Sequence, residues 1–164
     1  MPMLDAFIPE GALAADAESE LLSRLTDILL RNEGADPENP VVRSIAWVFL
    51  HRPAAVYVAG EPAGEPRYRI VASVPEGQFD DERREAMVSE VTEAVLDAER
   101  GAHARDPMRV WVFPREVPEG TWGAGARINR LADIAGLAVG DAEKGRSYAE
   151  RRLAERRGAA LVGG

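Results

Sequence analysis

Residue 2 is a proline placed directly behind the initiating methionine. Removal of Met1 would expose a secondary amine there. A free α-amino group titrates near 7.7–8.0, and burial lowers that value by disfavouring the cation. Such a nitrogen suits a general base working close to neutral pH, although a Met-Pro start is equally compatible with no chemistry at all. Other reactive side chains are scarce. The chain has no cysteine, which excludes disulfides, thiolate metal sites and cysteine nucleophiles. Its two histidines, His51 and His103, are far apart in sequence, so no metal and no cofactor are expected. Both are assigned to a strand end and a loop, without a role.

The elements that must hold Pro2 repeat along the chain. Ile8-Pro9-Glu10-Gly11 and Val74-Pro75-Glu76-Gly77 are near copies, separated by 75 − 9 = 66 residues. The same offset pairs Ser23 with Ser89, Thr26 with Thr92, Glu33 with Glu99, Arg43 with Arg109, Ile45 with Trp111 and Trp47 with Phe113. Each copy reads strand–helix–strand. Met3–Ile8 is an apolar run stopped by Pro9-Glu10-Gly11. Leu21, Leu22, Leu25, Ile28 and Leu29 then form one helical stripe, and Val42–Leu50 follows as a β-rich run. In the second copy Tyr68–Val74 is the strand, Asp80-Asp81-Glu82 favour a helix start, and Met87, Val88, Val91 and Val95 make the stripe. Arg109–Phe113 closes the unit.

A strand–helix–strand unit must be parallel with a right-handed crossover. Two of them predict an α+β domain with a four-stranded sheet and two helices on one face. The other face is too apolar to stay in water, so a further subunit should cover it. The units span 2–50 and 67–130, with a Pro/Gly-rich connection at 51–66, in which Val56-Tyr57-Val58 could be a short edge strand. A helical extension occupies 131–164. Within it, 141–158 offers only Ala149, Leu153 and Ala154 as an apolar face.

The whole chain, 164 residues, carries 20 Lys+Arg against 28 Asp+Glu, a net charge of −8, with a pI near 4.9. That balance argues against a nucleic-acid partner. No apolar stretch approaches the roughly 18–20 residues of a membrane span, and no signal peptide is visible. A soluble protein of the cytoplasm is expected.

A duplicated strand–helix–strand with a strand beginning at Pro2 resembles the tautomerase superfamily. The opening Pro2-Met3-Leu4-Asp5-Ala6-Phe7-Ile8-Pro9-Glu10-Gly11 is similar to that of the 4-oxalocrotonate tautomerases. The segment Glu116–Gly125, an aromatic followed by Gly-x-Gly, is similar to their closing segment. Length and doubling look more like fused members such as the cis-3-chloroacrylic acid dehalogenases and malonate semialdehyde decarboxylases. The resemblance implies a trimeric barrel, Pro2 as the catalytic base or acid, Trp122 as the active-site aromatic, and Arg43 and Arg109 at the family's substrate-binding arginine. It covers roughly residues 2–130.

The departures are specific. Where the family keeps an arginine just after Glu-Gly, this chain has Ala12 in the first copy and Gln78 in the second. A keto–enol tautomerase needs a base over the acidic carbon and a cation on the carboxylate. Arg43, Arg109 or Arg127 could supply the cation, since a planar guanidinium grips a carboxylate at two points. Each is equally readable as a solvated charge, and Trp122 as packing. The expected activity is tautomerisation of a small unsaturated 2-oxo or enol carboxylic acid by a homotrimer, with Pro2 catalytic and Arg43, Gln78, Arg109, Trp122 and Arg127 around the substrate. Hydratase, dehalogenase or decarboxylase chemistry is the alternative, and a non-catalytic trimeric binding protein is the second.

Overall fold

In a computed structural model the described residues are 2–162, the side chains of 159–162 excepted. Strand β1 (Met3–Phe7) leads into helix α1 (Ala15–Glu33), short helix α2 (Pro40–Ser44) and strand β2 (Trp47–His51). The connection holds a two-residue ladder, β3 (Tyr57–Val58) with β4 (Glu61–Pro62). Strand β5 (Tyr68–Pro75), helix α3 (Asp81–Ala98) and strand β6 (Val110–Val117) form the second unit. A small hairpin, β7 (Gly123–Ala124) and β8 (Arg127–Ile128), precedes helices α4 (Leu131–Val139) and α5 (Ala142–Val162). No helix among the described residues is long and apolar enough to cross a membrane.

The sheet runs β2-β1-β5-β6. β1 pairs parallel with β2 and antiparallel with β5, while β5 pairs parallel with β6. Both units are therefore parallel strand pairs bridged by a helix, joined back to back through their first strands. Alternation sets the faces. Leu4, Ala6 and Ile8 with Ile70, Ala72 and Val74 point under α1 and α3, where Leu21, Leu25, Ile28, Met87, Val91 and Val95 complete the core.

One expected strand starts late. Val42–Leu50 reads as continuous β, yet residues 40–44 are helical. Pro40 suits a first helical turn because its missing N–H would be unpaired there anyway. The Asn39 side chain accepts from the Val41 and Val42 N–H groups at 2.9 and 3.4 Å. Capping chemistry outweighs β propensity, and Arg43 moves from a strand start onto α2.

The other sheet face carries three rows across the strands: Trp47–Met3–Ser73–Arg115, Phe49–Asp5–Val71–Phe113 and His51–Phe7–Arg69–Trp111. Trp47 and Trp111 are each 62% exposed. Asp5, His51, Arg69 and Arg115 are tied to one another or to the aromatics. His51 Nε2 lies 2.6 Å from Asp5 and its ring stacks on Phe7, and the Arg69 guanidinium lies 4.7 Å from the Phe7 ring.

The second copy encloses an ion pair. Arg109 donates from both terminal nitrogens to the Glu99 carboxylate, and the Tyr68 hydroxyl donates to the same carboxylate at 2.9 Å. Burial pushes Glu99 upward, but the Arg109 and Tyr68 hydrogen bonds outweigh it and hold the group below the ordinary carboxylate range. Removing one member would leave an uncompensated buried charge. Glu99→Ala and Arg109→Met should each cost about 3–5 kcal/mol in urea unfolding at pH 7, and the double variant clearly less than the sum. Because the folded state depresses the Glu99 pKa, the pair's contribution is complete above the unfolded value of about 4.3 and fades as pH falls below it. Additive losses would show that the pair is not coupled.

Candidate active site

Pro2 is buried, and its carbonyl accepts the Trp47 N–H at 3.2 Å. A proline just ahead of a strand forfeits no ladder bond, and the next residue, Met3, pairs with Trp47 on one side and Ser73 on the other. Two cavities meet at it. The larger, about 830 Å³, is walled by Pro2, Glu33, Gln78, Ile134, Tyr148 and Arg151 among others. The smaller, about 500 Å³, lies between Pro2, Trp47, Phe49, Val117 and Trp122. Both volumes fall within the range of small-molecule sites.

Pro2, Gln78 and Trp122 thus gather around these cavities, with Trp122 in the smaller one only. The arginines do not. Arg43 donates to Asp27 at 2.6 Å and to the Pro37 carbonyl at 2.9 Å on the outer side of α2. Arg109 is closed inside its ion pair, and Arg127 is exposed on β8. None of the three lines either cavity.

Gln78 is fixed rather than free. Its side-chain oxygen accepts the Tyr148 hydroxyl at 2.8 Å, and its backbone carbonyl accepts from Arg83 at 2.8 Å and Arg152 at 3.2 Å. The turn that carries it needs Gly77, whose φ is +89°, a conformation that costs glycine little. The Glu116 carboxylate supports the turn from below by accepting the Gly77 and Phe79 N–H groups at 2.9 and 3.0 Å.

The C-terminal helices supply the wall that the sequence reading left without a role. α5 docks on the turn through Arg152 Nε to the Gly77 carbonyl (2.8 Å) and on β6 through Arg156 to Glu116 (3.1 Å). α4 is pinned by the Asn39 amide donating to the Ala138 carbonyl at 2.9 Å. The docked α5 brings Lys144, Tyr148 and Arg151 to the cavity. Arg151 sits 5.5 Å from the Tyr148 ring and has no ion pair among the described residues.

Glu33 is the other unforeseen member. It lies at the end of α1, 4% exposed, beside Gly34 in the left-handed C-cap. Burial raises its pKa to about 7, against smaller opposing pulls from the amino-terminal charge and Arg83. The negative end of the helix dipole also disfavours an anion there. The constant offset that pairs Glu33 with Glu99 was the available signal for it. Nothing in the helical pattern of 141–158 announced Tyr148 or Arg151.

The architecture, two β-α-β units in one four-stranded sheet, is the tautomerase fold in its fused form. No protein-family model matches the chain, and no curated protein does. Among solved structures, Pt0534 inactivated by 2-oxo-3-pentynoate is 21% identical with a TM-score of 0.62, covering 77% of this chain and 94% of that one. A fused 4-OT symmetric trimer is 24% identical with a TM-score of 0.61, covering 84% and 98%. A member of the cis-3-chloroacrylic acid dehalogenase family, called N1, is 16% identical with a TM-score of 0.61, covering 77% and 82%.

The crossing of α4 and α5 is closed by two glycines. A Cβ at Gly145 would lie 2.4 Å from the Gly136 nitrogen and 2.6 Å from the Ala132 carbonyl oxygen. Gly145→Ala should therefore push α5 off α4 at a cost of about 1–3 kcal/mol. Limited trypsin digestion reads this directly, because Arg151, Arg152 and Arg156 become cleavable in the variant while the 2–130 body persists. Equal resistance of the two proteins would refute the crossing.

Proposed function

We propose that this chain is a tautomerase-type enzyme in which Pro2, freed by removal of Met1, is the general base and acid for a small unsaturated 2-oxo or enol carboxylic acid. The observation that carries the reading is the position of Pro2, buried at the head of an interior strand and forming wall in both cavities. Burial of the amine favours its neutral form, which is the form that accepts a proton. The likeness to a structure trapped with an acetylenic 2-oxo acid supports the substrate class.

In this reading the substrate carboxylate is held at the α5 wall. Arg151 presents a guanidinium at the cavity with no carboxylate among the described residues bonded to it, and Lys144 stands seven residues, about two turns, earlier on the same helix. Gln78, fixed by Tyr148, offers an amide to the carbonyl or enol oxygen. Pro2 removes a proton from one position and returns it to another as the double bond shifts. Trp122 and Trp47 close the smaller cavity against water.

The exposed aromatic face of the sheet supports a homotrimer. Trp47, Phe49 and Trp111 form more apolar surface than a soluble monomer ordinarily leaves uncovered, and a fused 4-OT trimer shares the fold. Sedimentation should give three times the chain mass, and Trp47→Asp with Trp111→Asp should release monomers; a parent protein that sediments as a monomer would refute the assembly.

For the chemistry, intact mass should show loss of Met1. The parent should ketonise phenylenolpyruvate or 2-hydroxymuconate, and Pro2→Ala should lose about 10²–10⁴-fold in kcat, the range of general acid–base catalysis. Arg151→Ala should chiefly raise KM. Full activity in Pro2→Ala would overturn the reading.

A further inference from the structure

The duplication places corresponding groups at the mouth of each unit, and only one copy has filled them. Tyr68, Glu99 and Arg109 occupy the positions 66 residues after Pro2, Glu33 and Arg43. In the second copy the three side chains close on one another, so the carboxylate has both a guanidinium and a phenol. In the first copy the phenol is replaced by proline, which has no donor side chain, and Arg43 has turned away to Asp27. Glu33 stays buried where Glu99 is buried. Its carboxylate has no hydrogen bond or ion pair among the described residues, and it lines the cavity that Pro2 lines.

From this asymmetry we propose that Glu33 is a second proton-handling group of the Pro2 site, a carboxylic acid that exchanges protons with the substrate oxygen while Pro2 serves the carbon. The inference rests on Pro2 being the reactive amine of that cavity. In enolisation, the C–H bond beside the carbonyl breaks, its proton passes to the Pro2 nitrogen and its electron pair forms the new C=C bond. The O–H bond of Glu33 breaks as its proton goes to the carbonyl oxygen, giving the enol. Proton passage from the Pro2 ammonium to the Glu33 carboxylate restores the starting state, and ketonisation is the reverse.

The surroundings suit a carboxyl that is protonated at rest. The Arg83 guanidinium, on α3, is directed to the Glu33 backbone oxygen (3.5 Å) and the Gln78 carbonyl (2.8 Å), not to the Glu33 carboxylate. Asp36, Asp141, Glu143, Lys144, Tyr148 and Arg151 face the same cavity from the α1–α2 connection and from the start and middle of α5. Burial is the largest influence on Glu33, ahead of the opposing pull of Arg83. Lys144 is drawn toward Asp141, 3.7 Å away. With its pKa near 7, Glu33 would donate and recover a proton around neutrality, where transfer is most effective.

The test uses the mature parent and Glu33→Gln, which keeps the shape and removes the titration. With phenylenolpyruvate, Glu33→Gln should lose about 10²-fold or more in kcat, with KM within about threefold, and should lose the limb of the pH–rate profile near 7. A second arm needs no turnover. With 15N-labelled proline, the Pro2 nitrogen of the parent should respond in two steps, its own and that of Glu33, because interacting sites share their titration; Glu33→Gln should leave one step. A third arm reads stability. Because the folded state raises the Glu33 pKa, the parent should lose stability as pH rises from about 4.5 to 7 and then level, and Glu33→Gln should lack that slope. Unchanged kcat together with an unchanged Pro2 titration would overturn the proposal. A parent inert toward enol acids, but with the two-step Pro2 titration intact, would overturn the tautomerase reading and leave the proton pair standing.

Discussion

The structure turns on one arrangement of hydrogen bonds: β1 lies inside the sheet, laddered to β2 on one side and to β5 on the other. A chain end is ordinarily frayed, and here it is clamped from both flanks within one residue of Pro2. That clamp keeps Pro2 buried. It also requires both neighbours. β2 returns by a right-handed crossover through α1, and β5 exists because the unit is repeated. The duplication thus does more than enlarge the core. A single unit would leave β1 at an edge of its own sheet, with Pro2 open to water on one side.

The two copies use the same scaffold for opposite ends. At Tyr68 the second copy begins in mid-chain, so its nitrogen is an amide and has no basicity. The space that an amine would need is instead filled by the Tyr68–Glu99–Arg109 cluster. A buried ion pair of this kind adds little over an apolar filling but is expensive to break halfway, so it fixes how β5, α3 and β6 meet. The first copy keeps the carboxylate and gives up the partner. Its cost is a buried Glu33, and its gain is a cavity whose wall can carry a proton.

Much of this was legible in the sequence. Alternation in Met3–Ile8 and Tyr68–Val74 and the stripes of α1 and α3 fixed the sheet and its covered face, because period-2 and period-3.6 patterns report burial directly. The start of β2 was misread, since Asn39-Pro40 acts through capping geometry that outweighs the apolar run behind it. The arginines were located by position along the chain, but their partners lie elsewhere: Asp27 is on α1 and Glu99 ends α3. No local pattern discloses which carboxylate a guanidinium will meet. Tyr148 and Arg151 were hidden for a related reason. Their helix has a thin apolar face; it packs on α4 through small residues and meets the Gly77–Gln78 turn and β6 through Arg152 and Arg156, contacts that leave little hydrophobic periodicity.

The absence of arginine at Ala12 and Gln78 takes on a different meaning beside α5. Ala12 lies away from the Pro2 cavities, and Gln78 sits in a turn held on several sides: the Gly77 and Phe79 N–H groups on Glu116, the Gly77 and Gln78 carbonyls on Arg152, the Gln78 side-chain oxygen on Tyr148. A turn held in this way is rigid, and the Gln78 side-chain amide N–H group is the donor it leaves toward the cavity. The cations instead stand across the cavity on a helix that is held by polar contacts and by the Gly136–Gly145 crossing. In an acidic body of net charge −8, long-range attraction for an anion is weak, and capture must be local. Lys144 and Arg151 reach the cavity only through the seating of α5, so the contacts of that helix with the turn and with α4 also set where these two charges stand.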